Sequence, residues 1–208
     1  MLYDTTGTTG PTALTKSGIA TGFKQAAINI GAEAIYDCPG QWFAEAFSGS
    51  GGGGGDRKAW KYQYSVTPSY HGADLSAIFP EGDATEVPNT DFRRALQKIW
   101  GSFVVRDSPV ISVADATAGY PNATVPVASD YGNHIDWPAY AVDDPVHMTL
   151  NTTGGDVQNV TVTPDLSYLV RAGPGIVNNF TLADAGAWEG GRGERCRFWR
   201  DVSERVPL

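Results

Sequence analysis

An alternating segment at residues 60–66 constrains the fold more than any other part of the chain. Aromatic or β-branched side chains take every second position, and polar side chains take the positions between them. The first set is Trp60, Tyr62, Tyr64 and Val66, and the second set is Lys61, Gln63 and Ser65. This period of two predicts a β-strand with one face in a core and the other face in solvent. Because Pro68 cannot donate a backbone hydrogen bond, the strand is predicted to end before it.

A histidine follows this strand directly. Tyr70, His71 and Gly72 come just after the turn at Pro68, and open α/β sheets carry their reactive groups beyond the carboxyl ends of the strands. Imidazole titrates close to neutral pH, so His71 could be a general base, a metal ligand or an ordinary polar loop residue. The local sequence leaves these three interpretations open.

Apolar side chains at helical spacing predict four helices. They lie at residues 18–34, from Pro39 onward, at 90–106 and at about 193–205. Thr90 is expected to cap the third of these, in which apolar positions recur at i, i+3, i+4 and i+7. In the last helix, Arg195 and its charged neighbours are predicted to form a solvated face, while Cys196 and Trp199 point inward. Residues 1–17 and the glycine-rich run 49–55 are predicted to be loop and flexible connector.

A series of short motifs is spread along the chain in a characteristic order. The series is Cys38-Pro39, the aromatic strand, His71-Gly72 with Asp74 and Phe79, Trp100, Trp137-Pro138, and Cys196-Arg197-Phe198-Trp199. Over residues 18–207 this order resembles the carboxyl-terminal part of the type-B carboxylesterase and cholinesterase family. The resemblance implies an α/β fold, namely the carboxyl-terminal part of an α/β-hydrolase with few strands, several helices, long loops and an incomplete sheet. Residues 1–208 would then form one partial domain.

The same resemblance implies hydrolysis of a small-molecule ester by a serine, histidine and acid triad. His71 matches the general base of the family, Gly72 is expected to leave room beside the imidazole, and Asp74 stands where the family commonly has a supporting acidic residue. Asp74 is not expected to be the triad carboxylate, because that acid precedes the histidine by a long stretch in α/β-hydrolases. A loop or helix-start cap is the alternative role for Asp74.

The nucleophile that such a triad needs is missing from the sequence. A nucleophile elbow has glycine two residues before and two residues after its serine, and Ser48 and Ser50, beside the glycine run, both lack the first glycine. An oxyanion loop of the HGGG type is also absent. In the family order the serine and the acid lie upstream of residue 18. The chain is therefore interpreted as a fragment that supplies only the base and has little esterase activity alone.

Two interpretations without catalysis remain open. A relative that has lost the triad could serve as a cholinesterase-like binding or adhesion module. The second half of the chain, rich in Gly, Thr and Asn, could instead belong to a secreted carbohydrate-binding module. That second alternative predicts mostly β-structure, which disagrees with the strong helix pattern at residues 90–106.

The cysteines and the glycosylation motifs bear on localisation. Cys38 and Cys196 are too far apart in sequence for a CxxC metal pair, and the residues alone allow either two buried thiols or a bond. The resemblance implies a disulfide between them. Four sequons, at Asn122, Asn151, Asn159 and Asn179, also favour an oxidising secretory route. We therefore expect a secreted glycoprotein that uses no metal and no other cofactor.

Charge and hydropathy narrow the range of partners. The formal net charge of −8 disfavours nucleic acid. No uninterrupted apolar stretch reaches the roughly 18 residues of a membrane span, and the first residues lack the features of a signal peptide, whose place is expected outside this sequence. Of the other histidines, His134 is placed in a loop, and His147 is expected to point to solvent or to a polar contact. Neither shows a pattern for metal binding or catalysis.

Overall fold

The computed structural model describes residues 22–48, 57–79, 89–130, 132–164 and 166–205. Helices and small β-sheets occur together in these residues, so the predicted mixture of α and β structure is confirmed. The predicted loop at residues 1–17 and the glycine-rich run at 49–55 lie outside the described residues.

The two helices predicted near the amino terminus form one continuous helical segment. Helix α1 (Gly22–Ala32) passes through a π-helical turn (Glu33–Asp37) into helix α2 (Cys38–Phe47). The backbone N–H of Cys38 donates to the carbonyl of Glu33, five residues earlier. Because Pro39 has no N–H to donate, regular α-helical bonding is interrupted at this point, and the wider turn occupies the interruption.

The central sheet has three strands in the order β1, β2, β5. Strand β1 (Tyr62–Tyr64) is parallel to β2 (Val146–Thr153), which is antiparallel to β5 (Val177–Asp184). Strands β3 (Asp156–Thr163) and β4 (Leu166–Ala172) lie between β2 and β5 in sequence and form a separate two-stranded sheet. Strand β1 is shorter than the predicted strand at 60–66, and within the described residues it is the edge strand of its sheet.

One face of the central sheet packs against helix α4 (Thr90–Arg106), as the helical pattern predicted. Phe92 is fully buried at the centre, with its ring edge-on to Tyr64 and to Phe180 at 5.9 Å in each case. The cap differs from the prediction, because Asn89 and not Thr90 accepts a hydrogen bond from the backbone of Phe92, at 2.8 Å. The short helices α3 (Leu75–Ile78) and α5 (Val113–Thr117) pack beside α4.

The other face of the sheet is covered by helix α6 (Trp188–Val202). The prediction that the polar face of the first strand lies in solvent is therefore wrong: Ser65 is buried, and Gln63 is half-buried and accepts a hydrogen bond from Arg192 at 2.8 Å. The predicted solvated position of Arg195 is wrong as well. Its guanidinium is buried and bonds both carboxylate oxygens of Glu33, at 2.6 and 2.9 Å.

The disulfide implied by the resemblance is confirmed. Cys38 at the start of α2 and Cys196 in α6 are bonded across a separation of 158 positions, and both are fully buried. The bond lies close to the ion pair of Glu33 and Arg195, so the amino-terminal helices are fixed to α6 by both contacts.

We expect the double variant Cys38→Ala with Cys196→Ala to lose about 2 to 5 kcal/mol of unfolding free energy, because the open chain regains the entropy of a long loop. Urea denaturation followed by circular dichroism measures the loss. Reductant should lower the midpoint of the wild-type chain and leave that of the double variant unchanged. Equal midpoints for the oxidised and reduced wild type would contradict the prediction.

Candidate active site

His71 lies on the exposed loop that joins β1 to α3. Two backbone hydrogen bonds shape this loop: Ala73 donates to the carbonyl of Tyr70, and Leu75 donates to that of Gly72, each at 3.0 Å. The loop starts just beyond the carboxyl end of the edge strand, so the imidazole is presented to solvent at that end of the sheet.

The ring of Tyr36 stacks on the imidazole of His71. The two ring centroids are 4.0 Å apart, and the planes differ by 22°. Tyr36 belongs to the π-helical turn, whose Glu33 and Asp37 side chains reach toward α6 instead. Sequence reasoning did not identify Tyr36, because its contact depends on a turn that apolar periodicity does not reveal.

Asp74 is bound to the strand that precedes its own loop. The hydroxyl of Tyr62 donates to Oδ2 of Asp74 at 2.5 Å, and the Tyr62 ring packs edge-on against Trp100. Burial, with a further contribution from the bond to Asp74, raises the pKa of Tyr62, so the phenol keeps the proton that it donates. Asp74 does precede the first residue of α3, but its side chain makes no capping bond.

The backbone conformation at position 72 requires glycine. Its φ of +82° lies in the left-handed region that side chains other than glycine rarely adopt. A Cβ at this position would meet only Leu75 Cδ1, at 3.6 Å, so free space is not the limiting factor. The structure therefore gives a different reason for this glycine from the predicted room beside the imidazole.

Exposed apolar side chains occur on the His71 loop, on α3 after it, and on the helical segment whose Tyr36 stacks on His71. On the loop and α3 these are Tyr70, Leu75 and Phe79, and on the helical segment that contacts the loop they are Ile35, Tyr36, Phe43 and Phe47. Phe43 is 71% exposed and Phe79 is 68% exposed. Large apolar surfaces of this kind mark sites that another molecule or another part of a protein covers.

A second cluster of polar groups lies between the sheet and α6. Arg192 is its centre: it donates to Gln63 and contacts the carboxylates of Asp37 and Glu189. Burial, together with the nearby positive charge of Arg192, lowers the pKa of Lys61 to about 8, although Asp37 opposes the shift. Perturbed pKa values occur in functional sites and in structural ion-pair networks alike. This cluster holds α6 against the sheet, on the face opposite α4.

The prediction for His147 is wrong, because its side chain is buried on the α6 face of the sheet. The imidazole is 1% exposed and lies edge-on to the Trp188 ring, with 4.6 Å between ring centroids. Burial, followed by the positive charges of Lys61 and Arg192, lowers the pKa of His147 to about 3, against a smaller opposing effect of Asp184. The imidazole is therefore neutral near pH 7 and is unsuited to carry charge there.

A groove along the outer side of α4 forms a separate concave surface of about 650 Å³. Its cationic lining consists of Arg94, Lys98 and Arg106, and Lys98 is paired with Asp115. His71 is not among the lining residues, so the groove is distinct from the apolar surface around the loop.

The remaining predicted residues lie apart from this loop in sequence. His134 is half-buried, with its side chain 44% exposed and its Nε2 atom 3.6 Å from Asp130. The sequon residues Asn122 and Asn159 are exposed, whereas Asn151 and Asn179 are half-buried. Across the described part of the chain, no group of three or more His, Cys, Asp or Glu side chains could hold a metal ion. None of the helices in that part is long and apolar enough to cross a membrane.

Comparison with known proteins adds no identification. No family model matches the chain, and no curated protein and no solved structure matches it either. The residues of the His71 loop and their contacts are therefore the basis for a functional proposal.

We expect Tyr36→Ala to remove the upfield ring-current shift of the His71 imidazole protons, because the stacked ring is lost. Tyr36→Phe should keep the shift, since stacking needs the ring and not the hydroxyl. Proton NMR of the 208-residue chain measures this, with His71→Asn used to assign the signals. Identical His71 shifts in the wild type and in Tyr36→Ala would show that the two rings do not stack in solution.

We expect His147 to make the protein less stable in acid. The unfolded imidazole binds a proton below about pH 6.5, whereas the folded one does so only near pH 3. The stability that depends on a neutral His147 is therefore fully present above about pH 6.5. As the pH falls from 6.5 toward 3, the free energy of unfolding decreases by about 1.4 kcal/mol per pH unit.

Urea denaturation between pH 7 and pH 4 measures how the free energy of unfolding depends on pH. This dependence should be weaker in His147→Gln than in the wild type. His134→Gln is the matched control, since the His134 side chain is 44% exposed whereas that of His147 is buried, and it should keep the wild-type pH dependence. An unchanged slope in His147→Gln would contradict the assignment.

Proposed function

We propose that this chain carries the general base of a serine ester hydrolase related to the type-B carboxylesterases and cholinesterases, and that His71 is that base. One observation carries the proposal: His71 is exposed on a loop that begins at the end of a parallel edge strand and is tied back to that strand by Asp74 and Tyr62. A base that must reach a substrate needs both exposure and a fixed position.

The chemistry assigned to His71 is proton transfer in two directions. A serine hydroxyl is a weak nucleophile until a base accepts its proton, so Nε2 of His71 would take that proton as the serine oxygen attacks the ester carbonyl. The protonated imidazole would then give the proton to the departing alcohol, and water would release the acyl group by the reverse sequence. In this proposal the serine and the triad acid belong to residues outside the 208 of this chain.

Asp74 has a structural role in this scheme. Its carboxylate accepts a hydrogen bond from the Tyr62 hydroxyl at 2.5 Å, which fixes the loop three residues after His71. Tyr36 supports the imidazole from the other side by stacking. These two contacts restrict the directions in which the base can point, and such restriction is what proton transfer within hydrogen-bonding distance requires.

The edge strand next to His71 supports the proposal that further strands belong to this sheet. Strand β1 is parallel to β2 and, in the described residues, has a strand on one side only. An edge strand presents a row of unpaired backbone N–H and C=O groups with which a further strand can pair. Further parallel strands would pair with β1, and their loops would cover the exposed apolar side chains of the His71 loop and of Tyr36. The ester substrate would bind at that junction.

The binding or adhesion module is the second candidate, and the exposed apolar side chains on the His71 loop, on α3 and on the helical segment of Tyr36 are the observation that favours it. A carbohydrate-binding module built mostly from β-strands fits less well, because α4, α6 and the amino-terminal helical segment make up much of the described structure.

The disulfide supports passage through an oxidising compartment, and we propose secretion on that basis.

We expect the isolated chain to hydrolyse p-nitrophenyl butyrate no faster than free imidazole does. When upstream coding sequence that supplies a GxSxG serine and an acidic residue is included, hydrolysis should appear. In that longer protein, His71→Gln should lower kcat/KM by a factor on the order of 10⁴ or more, because the serine loses its base.

The matched control is His134→Gln, at a histidine whose side chain is 44% exposed, and it should keep the activity of the longer protein. Circular dichroism should show that both variants remain folded. Equal activity in His71→Gln and the unsubstituted protein, or the lack of any GxSxG serine upstream, would rule out the proposed role.

A further inference from the structure

The proposed esterase function does not use the four N-x-T sequons. They begin at Asn122, Asn151, Asn159 and Asn179. A sequon is only a sequence condition, and a folded protein tolerates the attached oligosaccharide only where the asparagine side chain can project into solvent. The four positions differ in this respect.

Two of the sequons lie directly opposite each other in the central sheet. Asn151 on β2 pairs with Asn179 on β5, and both side chains are half-buried. Side chains of facing residues in an antiparallel pair begin only about 5 Å apart. Two branched sugars cannot both leave the sheet from such a pair, and one sugar would cover the other asparagine.

Asn179 is also enclosed on its second side. The segment around Thr124 runs beside β5, where Thr124 donates to the carbonyl of Asn178 at 3.0 Å and accepts from Phe180 at 2.7 Å. Asn179 therefore lies in the middle of three adjacent backbone segments. The Oδ1 atom of Asn151 is engaged as well, because it accepts a bond from the backbone of Thr152 at 2.8 Å.

Asn122 lies at the surface in a turn. The turn is closed by a bond from Ala123 to the carbonyl of Tyr120 at 3.2 Å, and Tyr120, Pro121 and Asn122 are all exposed. The Tyr120 ring is 46% exposed. An oligosaccharide on Asn122 would meet solvent and this one aromatic ring, which offers an apolar face to a sugar.

Asn159 lies on the small sheet formed by β3 and β4. Asn159 is exposed opposite Leu169, and Val157, two residues earlier on the same face of the strand, is 51% exposed. A two-stranded sheet with little further packing is only marginally stable in water. A sugar on Asn159 would cover Val157. It would not displace any side chain that packs in the core.

We propose that Asn122 and Asn159 carry N-linked oligosaccharides in the folded, secreted protein, and that Asn151 and Asn179 do not. The co-reactant is an oligosaccharide attached to a lipid pyrophosphate, which a transferase of the secretory pathway delivers. The amide nitrogen of asparagine forms a bond to the anomeric carbon and loses one proton, while the bond from that carbon to the pyrophosphate oxygen breaks. The lipid pyrophosphate leaves.

The test uses the full chain, expressed behind a cleavable secretion signal in a eukaryotic host. Secreted protein is treated with peptide N-glycosidase in ¹⁸O water, which converts each glycosylated asparagine to labelled aspartate, and peptides are mapped by mass spectrometry. Label is expected at Asn122 and Asn159 only. If the chain is retained in the cell, the protease-resistant fraction is mapped in the same way.

Single substitutions provide matched controls. Asn122→Gln and Asn159→Gln should each remove one glycan from the intact mass, whereas Asn151→Gln and Asn179→Gln should leave the glycan mass unchanged. Label at Asn151 or Asn179 in folded protein, or its absence at Asn122 or Asn159, overturns the proposal. None of these measurements depends on ester hydrolysis, so the outcome is independent of the role of His71.

Discussion

The buried ion pair between Glu33 and Arg195 determines how the two ends of the described chain meet. Both side chains are nearly inaccessible, and the guanidinium bonds both carboxylate oxygens. A buried pair of this kind adds little net stability, but the loss of one partner leaves an uncompensated charge in the interior. The pair therefore fixes geometry: with the nearby disulfide, it orients the π-helical turn so that Tyr36 lies beside His71.

Local sequence patterns were enough to predict some of this structure. The alternation at residues 60–66 correctly located β1, the helical spacing located α4, and Pro68 preceded the loop with His71. These features depend on side chains within a few positions of one another. The bond between Cys38 and Cys196 came from the family resemblance and not from any local pattern.

The wrong predictions share a physical cause. Arg195 was expected to contact solvent, and His147 was expected to contact solvent or a polar group. Arg195 is instead buried in its pair with Glu33, and His147 is buried edge-on to Trp188 at the start of α6. The bond between Gln63 and Arg192 spans 129 positions in sequence. Alternation shows that a strand has two unlike faces, but it carries no information on whether a distant helix will cover the polar one. The stacking of Tyr36 on His71 was missed because apolar periodicity does not reveal the π-helical turn that carries Tyr36.

The π-helical turn makes the amino-terminal helices sensitive to length. Successive residues of an α-helix are rotated by about 100° around its axis. Deletion of one residue at positions 33–37 would remove the extra residue of the π-helical turn and rotate everything on one side of the deletion by that angle. Glu33 and Cys38 could then no longer both face α6. Apart from Glu33, whose carboxylate is part of the buried ion pair, this short stretch therefore tolerates exchange of side chains more readily than any change in the number of its residues.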